Sequence, residues 1–584
     1  MFRLPAALTT AEAEPTELGS RRFWAWLLAI LLLAATLRVL FPVADPPWRT
    51  QFGVVWHDEG AWVHNARNRV LFGAWTQDQW NPMYITPVLT GLEYVSFSLF
   101  GVGLWQARLV SEVMGILSVL LLGLAVRRIV GSWAGLFAAA LLGTAFVSVM
   151  FDRAALMEAT MVALLVAALA AYARACDRPL WGLAVGPAVL LAYFTKATAV
   201  FLVAAVALDA LLTAVLAWRG GGLDAGTERR YRRAAWFTLL GLAVTGVVAL
   251  ALFVVPNWAD YRFYNWQMSV TRKPSYTVRA LMDRASWLPI VHDFFTRQWV
   301  VTLLALAGGF GLLARWRQAR PPERLLVWWL ALGAAELILH DVGNERRLVF
   351  LAPAMAGLAA LVLGGTRSLL PPGVSGLRRG AVLATAPLVL YAAYLAVGPV
   401  ARLPFIYDIG PGVRWSAGAA AVLVLALYLS WPAVPRWFAS SRWPAAGAAV
   451  VVALIVAGNL AQYAQWAVGR TEKNYAAMKS IGEWLPPGTL VHGKLANGLS
   501  LESRIRPVFV GAGFGNYEDR LVRDDIRYLL TYVTPRIGYE GPVIREVLAA
   551  YPHWRIVRVF DVAESGVGRD RAALIDKGAR APLR

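Results

Sequence analysis

Long apolar runs recur along most of the chain and are separated by short polar segments. A run of about 20 apolar residues is the length of a helix that crosses a bilayer. The pattern predicts thirteen membrane spans, at residues 23–41, 105–126, 133–150, 157–173, 180–194, 197–217, 234–255, 299–314, 325–339, 348–363, 381–397, 415–431 and 445–466. The apolar stretch 88–100 is too short to span and contains Glu93, so we predict a helix that lies in the membrane interface.

Arginine clusters indicate how these spans are oriented. In the thirteen-span arrangement, Arg127 with Arg128, the run 229–233 and the segment 315–324 share one side with the arginine-flanked N-terminus. Because Lys and Arg mark the cytoplasmic side, that side is predicted to face the cytoplasm of a plasma (inner) membrane. An odd number of spans then places everything after Gly469 on the extracytoplasmic side.

The composition changes after Gly469, where apolar runs shorten and charges return. Strand-like segments alternate there with helical patterns, which is typical of a small α/β domain. The predicted strands are 489–494, 507–510, 528–532 and 554–562, and the predicted helices are 475–485 and 543–551. We therefore predict a mainly α-helical polytopic membrane domain at 1–469 and a soluble extracytoplasmic α/β domain at 470–584, whose residues after Glu564 form a basic tail.

Composition agrees with a membrane protein and argues against a nucleic-acid partner. The chain is 58% apolar and 16% charged, with a mean hydropathy of +0.53, whereas soluble domains carry about a quarter charged residues. The net charge of +20 is distributed in short clusters between apolar runs, which is an orientation signal and not a nucleic-acid footprint. The single Cys176 excludes a disulfide framework within the chain and a thiolate metal cluster.

Acidic residues near the ends of spans are the first candidates for chemistry. Asp58 and Glu59 lie early in the first outer loop, 42–104, and a charge at the water–lipid boundary is costly unless it is used or solvated. A helix N-terminus capped by Asp58 is the plain alternative. Asp152 and Glu158 fall on the same membrane face, where Asp152 could instead simply pair with its neighbour Arg153.

Cations on the same face are the second candidates. Lys196 is the only charge between two apolar runs, and Arg346 with Arg347 precedes another span. The long outer loop 256–298 combines aromatic residues with a further basic pair, Arg272 and Lys273. Snorkelling lysines and interfacial aromatic belts are ordinary explanations for each residue taken singly.

Taken together, these residues suit a phosphate-bearing lipid donor and a hydroxyl acceptor. A cation stabilises a departing phosphate, and a carboxylate takes the proton of the acceptor as the new bond forms. The loop 256–298 is then expected to act as a lid that becomes ordered over the donor.

The order of these motifs resembles the polyprenyl-phosphate-dependent C-type glycosyltransferases, which include protein O-mannosyltransferases and lipid A aminoarabinose transferases. The resemblance covers roughly the first 360 residues. It is carried by the Asp58-Glu59 pair, the segment 80–101, the aromatic-x-x-Arg-Leu segment 105–109, Asp152 with Glu158, the Phe-Thr-Lys segment 194–196 and the segment 346–353. It implies inverting transfer of one sugar from a polyprenyl phosphate at the outer face, with Asp58 as general base and a thirteen-span layout.

The chain also departs from the family pattern. The segment 85–87 lacks the basic residue expected before a Pro-Pro pair, Arg347 replaces a tyrosine, and Ala197 replaces a glycine. The predicted catalytic residues are Asp58, Glu59, Asp152 and Glu158, and the predicted donor-phosphate ligands are Lys196, Arg272, Lys273, Arg346 and Arg347.

Other classes of function stay open at this point. A secondary transporter would carry charges in the middle of its spans, as Glu112 and Asp209 do, but no internal repeat supports it. A lipid-linked polysaccharide ligase or polymerase would share the long outer loops without the early Asp-Glu pair. A structural scaffold would not need acids at the lipid boundary. A metal-assisted variant with a divalent cation as cofactor could use His57, Asp58 and His340, but their spacing fits no recognised site and no metal ligand is assigned.

Overall fold

The computed structural model describes residues 18–47, 56–218, 224–267, 294–340, 345–364, 445–509, 522–533, 540–563 and 571–579. These residues form helices and one five-stranded sheet. The helices are α1 (Ser20–Val39), α2 (Trp56–Trp62), α3 (His64–Phe72), α4 (Pro87–Phe100), α5 (Leu104–Ile129), α6 (Ser132–Thr144), α7 (Phe146–Asp152), α8 (Met157–Ala175), α9 (Gly182–Tyr193), α10 (Val200–Trp218), α11 (Ala225–Ala249), α12 (Trp258–Arg262), α13 (Phe294–Arg297), α14 (Trp299–Ala314), α15 (Pro321–His340), α16 (Glu345–Leu348), α17 (Ala352–Gly364), α18 (Ala445–Gly469), α19 (Lys473–Trp484), α20 (Lys494–Gly498) and α21 (Glu540–Ala549).

Helices occupy all the predicted spans that fall on described residues, whereas the predicted spans 381–397 and 415–431 lie outside them. Among the described residues, seven helices are long and apolar enough to cross a membrane, or eight if a bent pair is one span. The bent pair is α6 and α7, which meet at 61° where the sequence predicts one continuous span. The chain is thus an integral membrane protein, and the count of thirteen spans stays a prediction.

Small residues let the membrane helices approach each other closely. A Cβ added to Gly186 of α9 would lie 2.2 Å from the carbonyl oxygen of Gly241 in α11, and one added to Gly135 would lie 2.6 Å from that of Gly123. Close backbone approach at small residues is the usual way in which helices pack in lipid, where burial of apolar surface adds little. Substitution by alanine at either contact would force the helices apart.

The predicted interfacial helix is α4, and it is not among the candidate spans. Pro87 occupies its first turn, where the missing N–H costs nothing, and the chain leaves it at Gly101 with a φ of +81°. Leu99 and Phe100 are exposed, whereas Glu93 is fully buried against the protein. An apolar outer face on a short helix fits a position at the membrane surface.

The sheet contains β1 (Leu490–His492), β2 (Arg506–Val508), β3 (Tyr528–Tyr532), β4 (Arg555–Asp561) and β5 (Arg571–Asp576), in the order β2-β1-β3-β5-β4. β1 is parallel to β2 and β3, whereas β5 is antiparallel to β3 and β4. The four predicted strands are confirmed. The predicted basic tail is wrong, because β5 lies within it: the apolar run from Ala572 to Ile575 is short, is flanked by charges, and is buried against its neighbours.

The sheet region and the first outer loop share a hydrophobic core. Val63 and Ala66 of the loop pack in one buried cluster with Leu495 and Leu499, which follow β1. The carboxylate of Asp45 accepts hydrogen bonds from the backbone N–H groups of Lys473 and Asn474 and from the hydroxyl of Thr471, and so holds the start of α19. The C-terminal region therefore helps to hold the loop that carries Asp58 and Glu59.

Candidate active site

Two adjacent carboxylates begin helix α2 and bind different partners. Successive residues of a helix are rotated by about 100°, so Asp58 and Glu59 face different surroundings. The Arg346 guanidinium donates to Asp58, with Nη1 2.5 Å from Oδ2. The Arg108 guanidinium donates to both oxygens of Glu59, at 2.8 and 2.9 Å.

Arg346 also joins Asp58 to Glu158. Its Nε lies 2.7 Å from Oε1 of Glu158, and the same oxygen accepts a hydrogen bond from Nζ of Lys196 at 2.7 Å. We call Asp58, Glu158, Lys196 and Arg346 the charged cluster. The sequence predicted all four as site residues, and the structure brings them together in one continuous chain of ion pairs.

The ends of several membrane helices place the charged cluster. Glu158 lies in the first turn of α8, Lys196 lies in the link between α9 and the segment that begins α10, and Arg346 lies in α16, which leads into α17. An acidic residue in the first turn is favoured by the helix dipole. Residues far apart in sequence therefore meet at one end of the helix bundle, beside the first outer loop.

Exposure separates the two carboxylates of the charged cluster. The side chain of Glu158 is 1% exposed, whereas that of Asp58 is 32% exposed. Glu158 has two cationic partners and is enclosed, so it serves best as a fixed counter-charge. Of the two, Asp58 is the carboxylate that solvent can reach.

The charged cluster lies in an excess of positive charge. Arg347 follows Arg346 in α16 and interacts electrostatically with both Glu158 and Asp58. Three cations thus face two carboxylates. Burial lowers the pKa of Lys196 to about 8, although the neighbouring Glu158 raises it. An anion bound here would offset the unbalanced charge and would hold Lys196 protonated.

Glu59 and Asp152 have buried arginine partners outside the charged cluster. Glu59 also accepts a hydrogen bond from the backbone N–H of Ala155, at 2.9 Å. Asp152 pairs with Arg38 of α1, whose Nε and Nη2 lie 2.9 and 2.8 Å from Oδ2. Asp152 does not form the predicted alternative pair with Arg153, whose guanidinium donates instead to backbone carbonyls at the end of α1 and just after it.

Arg272 and Lys273, with most of the loop 256–298, lie outside the described residues. The described start of that loop packs on the first outer loop. Tyr264 stacks on Tyr84 with ring centroids 5.9 Å apart, and its hydroxyl donates to the carbonyl of Gln79 at 2.5 Å. The side-chain amide of Asn265 donates to the carbonyl of Tyr84 at 2.7 Å.

Sequence reasoning did not identify Arg38 and Arg108 as the partners of Asp152 and Glu59. Arg38 interrupts the first apolar run, and Arg108 lies four residues inside α5, so charges inside otherwise apolar helices were the available signal. Glu93 is another buried residue of this region, and neither of its carboxyl oxygens has a hydrogen-bond partner among the described residues. Burial raises the pKa of Glu93 well above its usual range, and Glu59 adds to the effect.

The described part of the chain contains no group of three or more His, Cys, Asp or Glu side chains that could hold a metal ion. Asp58 and Glu158 are the two carboxylates of the charged cluster, and both already bind Arg346. Two carboxylates bound to a guanidinium are a poor fit to a divalent cation, which prefers several unshared oxygen ligands.

Comparison with known proteins matches this region to one family. A family model described as dolichyl-phosphate-mannose-protein mannosyltransferase matches residues 86–220, which include Glu158 and Lys196. No curated protein matches the sequence.

Two crystal structures of ArnT from Cupriavidus metallidurans share the fold over almost their whole length. The structure bound to undecaprenyl phosphate is 17% identical, covers 96% of this chain and 99% of its own, and gives a TM-score of 0.50. The apo structure is 18% identical, covers 97% of this chain and 100% of its own, and gives a TM-score of 0.53. The family model and the shared fold together confirm the predicted resemblance of the chain to the polyprenyl-phosphate-dependent C-type glycosyltransferases.

Proposed function

We propose that this protein transfers a sugar from a polyprenyl-phosphate donor to a hydroxyl group of a protein, lipid or glycan acceptor. The observation that carries the proposal is the charged cluster, in which Arg346 joins an accessible Asp58 to an enclosed Glu158. A matching fold binds undecaprenyl phosphate in the ArnT structure. The excess of cations at the ends of membrane helices suits a phosphate attached to a lipid tail.

The donor phosphate is proposed to bind Lys196, Arg346 and Arg347. Arginine binds phosphate oxygens in a fork geometry, and lysine adds a compact point charge. The phosphate would compete with Asp58 for Nη1 of Arg346, while Glu158 keeps both Arg346 and Lys196 in place. Donor binding would therefore release the carboxylate of Asp58 toward the acceptor.

Asp58 is proposed to be the general base. As the acceptor oxygen attacks the anomeric carbon, its proton passes to Asp58, and the bond from that carbon to the phosphate oxygen breaks. The electrons of that bond remain on the departing polyprenyl phosphate, whose charge Lys196 and Arg346 stabilise. Attack opposite the leaving phosphate inverts the anomeric carbon.

The remaining predicted site residues receive other roles in this proposal. Glu59 and Asp152 act through Arg108 and Arg38 as positioning residues, because buried ion pairs already occupy their carboxylates. Arg272 and Lys273 stay proposed phosphate ligands of a lid formed by the loop 256–298. Catalysis is proposed at the extracytoplasmic face of a plasma (inner) membrane, with 470–584 as a domain on that side.

A transfer assay with a panel of radiolabelled polyprenyl-phosphate sugars and membrane extract tests the proposal. Label should move from one lipid donor into an acceptor, and the soluble nucleotide sugar should give none. Arg346→Gln should abolish transfer in the same membranes. If label crosses the membrane without a new glycosidic bond, the protein is a transporter. If only lipid-linked glycan chains are transferred, it is a polysaccharide ligase.

A further inference from the structure

A cavity of about 350 Å³ lies at the end of the helix bundle opposite the charged cluster. Helix α10 runs from one site to the other. Lys196 of the charged cluster lies just before the start of α10, whereas Thr213 and Leu216, near the end of α10, line the cavity. Nineteen helical residues span about 28 Å. The cavity is therefore almost a bilayer thickness away from the charged cluster, and the donor site does not include it.

Arginines dominate the walls of this cavity, which we call the arginine cavity. Its basic lining residues are Arg230, Arg317, Arg320 and Arg324, and its acidic ones are Asp177 and Glu228. Asp177 is already paired with Arg128, whose side chain does not line the cavity. The lining thus has an excess of positive charge.

A buried polar network fixes the floor of the arginine cavity. Arg324 donates from Nε to Asp209 at 2.8 Å and from Nη2 to Thr213 at 2.5 Å, and Tyr172 donates to Asp209 at 2.7 Å. Arg320 is held at the rim, where its Nη1 donates to the carbonyl of Ile129 at 3.0 Å. These contacts satisfy Asp209, so this acid within a span has a structural role and gives no support to a transport pathway.

The other two arginines of the cavity are held less firmly by the protein. Arg317 and Arg230 are exposed, and Arg230 donates to the hydroxyl of Thr227 at 2.9 Å. A phosphate in this cavity would therefore meet two kinds of hydrogen-bond donor. Those of Arg324 and Arg320 are fixed by the protein, and those of Arg230 and Arg317 can adjust to the ligand. Arginine forks match phosphate oxygens better than any other side chain does.

The membrane side of the arginine cavity indicates the kind of phosphate. Helix α11 lines the cavity with Tyr231 and then continues with exposed apolar residues, among them Trp236 and Leu240. Leu216 and Ala217 add an apolar part to the lining. A ligand with a charged head and an apolar tail would place its phosphate in the cavity and its chains along α11.

We propose that the arginine cavity binds the phosphate headgroup of an anionic phospholipid. Basic cavities between membrane helices on the cytoplasmic side are established places for such headgroups. The orientation predicted from arginine clusters puts the cavity on that side. The bound lipid would link α10, α11 and the segment 315–324, and would stabilise the fold from the side opposite the charged cluster.

Lipid binding to the purified full chain in detergent tests this proposal. Phosphatidylglycerol should remain bound in native mass spectrometry and raise the melting temperature, as a ligand of the folded state does. Phosphatidylcholine at the same concentration should do neither. Inorganic phosphate is the third arm: equal stabilisation by phosphate alone would overturn the assignment to a lipid.

Matched variants distinguish the cavity from general attraction to a basic surface. Arg230→Gln with Arg317→Gln removes two cavity arginines, and Arg229→Gln with Arg232→Gln removes two exposed arginines of α11 that do not line the cavity. The cavity variant should bind phosphatidylglycerol at least about tenfold more weakly, and the control should bind within about twofold of wild type. Equal loss in both variants, or none in either, would overturn the proposal.

Discussion

Asp58 and Glu158 bind the same guanidinium, that of Arg346, through different nitrogens at 2.5 and 2.7 Å. The two acids begin different helices, and only their partner brings them together. Arg346 is therefore the residue on which the geometry of the proposed site most depends. Its two acidic partners differ in exposure: Asp58, the proposed base, is partly exposed, whereas Glu158 is enclosed.

Donor affinity should fall as the pH rises, because Lys196 loses its proton and with it its positive charge. Its pKa is lowered to about 8, so the free enzyme loses this charge between pH 7 and pH 9. If the neutral amine gives the phosphate no ionic contact, affinity at pH 9 should be about tenfold lower than at pH 7. Titration of the protein with a fluorescent polyprenyl phosphate at both values measures this change.

Lys196→Arg supplies the matched comparison, because arginine stays charged throughout this range. Its donor affinity should change by less than about twofold between the two pH values, apart from the ionisation of the phosphate itself. Lys479→Arg, at a lysine far along the chain in α19, should keep the wild-type slope. The same slope in wild type and Lys196→Arg would show that Lys196 does not contact the donor.

Glu59 should matter for stability more than an exposed acid does. Glu59→Gln leaves the buried Arg108 without its charged partner, and breaking a buried pair costs about 3–5 kcal/mol. Asp177→Asn breaks the exposed pair with Arg128, which should cost less than about 1 kcal/mol. Thermal unfolding in detergent compares the two.

The double variant Glu59→Gln with Arg108→Met checks the reason for that loss. Removing both charges takes away the uncompensated cation, so stability should recover in part relative to Glu59→Gln alone. If Glu59→Gln melts like the wild type and loses only transfer, Glu59 belongs to the chemistry and the positioning role is incorrect.

Gly60 should be intolerant of a side chain. A Cβ at Gly60 would lie 1.9 Å from the carbonyl oxygen of Asn497, so Gly60→Ala would push α2 away from α20. We expect about 1–3 kcal/mol of destabilisation and a loss of transfer, because Asp58 lies on the same short helix. Gly91→Ala is the control, since a Cβ there meets nothing within 4 Å. Equal behaviour of the two variants in melting and transfer assays would contradict the docking of α20 on α2.

The predicted orientation is testable with single engineered cysteines. Cys176 is buried, and burial raises the pKa of its thiol to about 12, so its background labelling should be low. A membrane-impermeant maleimide should label Glu483→Cys in intact cells and Arg233→Cys only after permeabilisation. Both positions are exposed. The opposite result would reverse the orientation and remove the proposed outer-face site.

The sequence predicted elements well where one physical signal dominated. Apolar runs predicted the described membrane helices, with α14 at the predicted residues 299–314, and the short, mainly apolar segment Tyr-Leu-Leu-Thr-Tyr predicted β3 at 528–532. The same signals could not predict the 61° bend between α6 and α7, since the sequence stays mainly apolar on both sides of Ala145. β5 was missed because its apolar core is only four residues long and adjoins charged residues.

For the site, residue type and membrane face were enough to include Asp58, Glu158, Lys196 and Arg346 among the nine predicted site residues. Pairing was not predictable, because it depends on which helix ends adjoin in three dimensions. Asp152 illustrates this limit: its partner is Arg38, 114 residues away, and not the adjacent Arg153. Glu59 likewise differs from its neighbour Asp58 in the arginine that it binds and in its burial, and both depend on the three-dimensional packing.

The direct test of the central claim is sugar transfer by Asp58→Asn. Asparagine keeps the size of the side chain but cannot take the acceptor proton, and loss of a general base costs about 10²–10⁴-fold in rate. Donor binding should be retained or improved, because Asp58 no longer competes for Arg346. Asp525→Asn, which removes an exposed acid of the C-terminal region, should transfer at the wild-type rate. The account predicts a folded, donor-binding Asp58→Asn protein whose transfer rate is at least about a hundredfold lower. Transfer by that protein at the wild-type rate would contradict it.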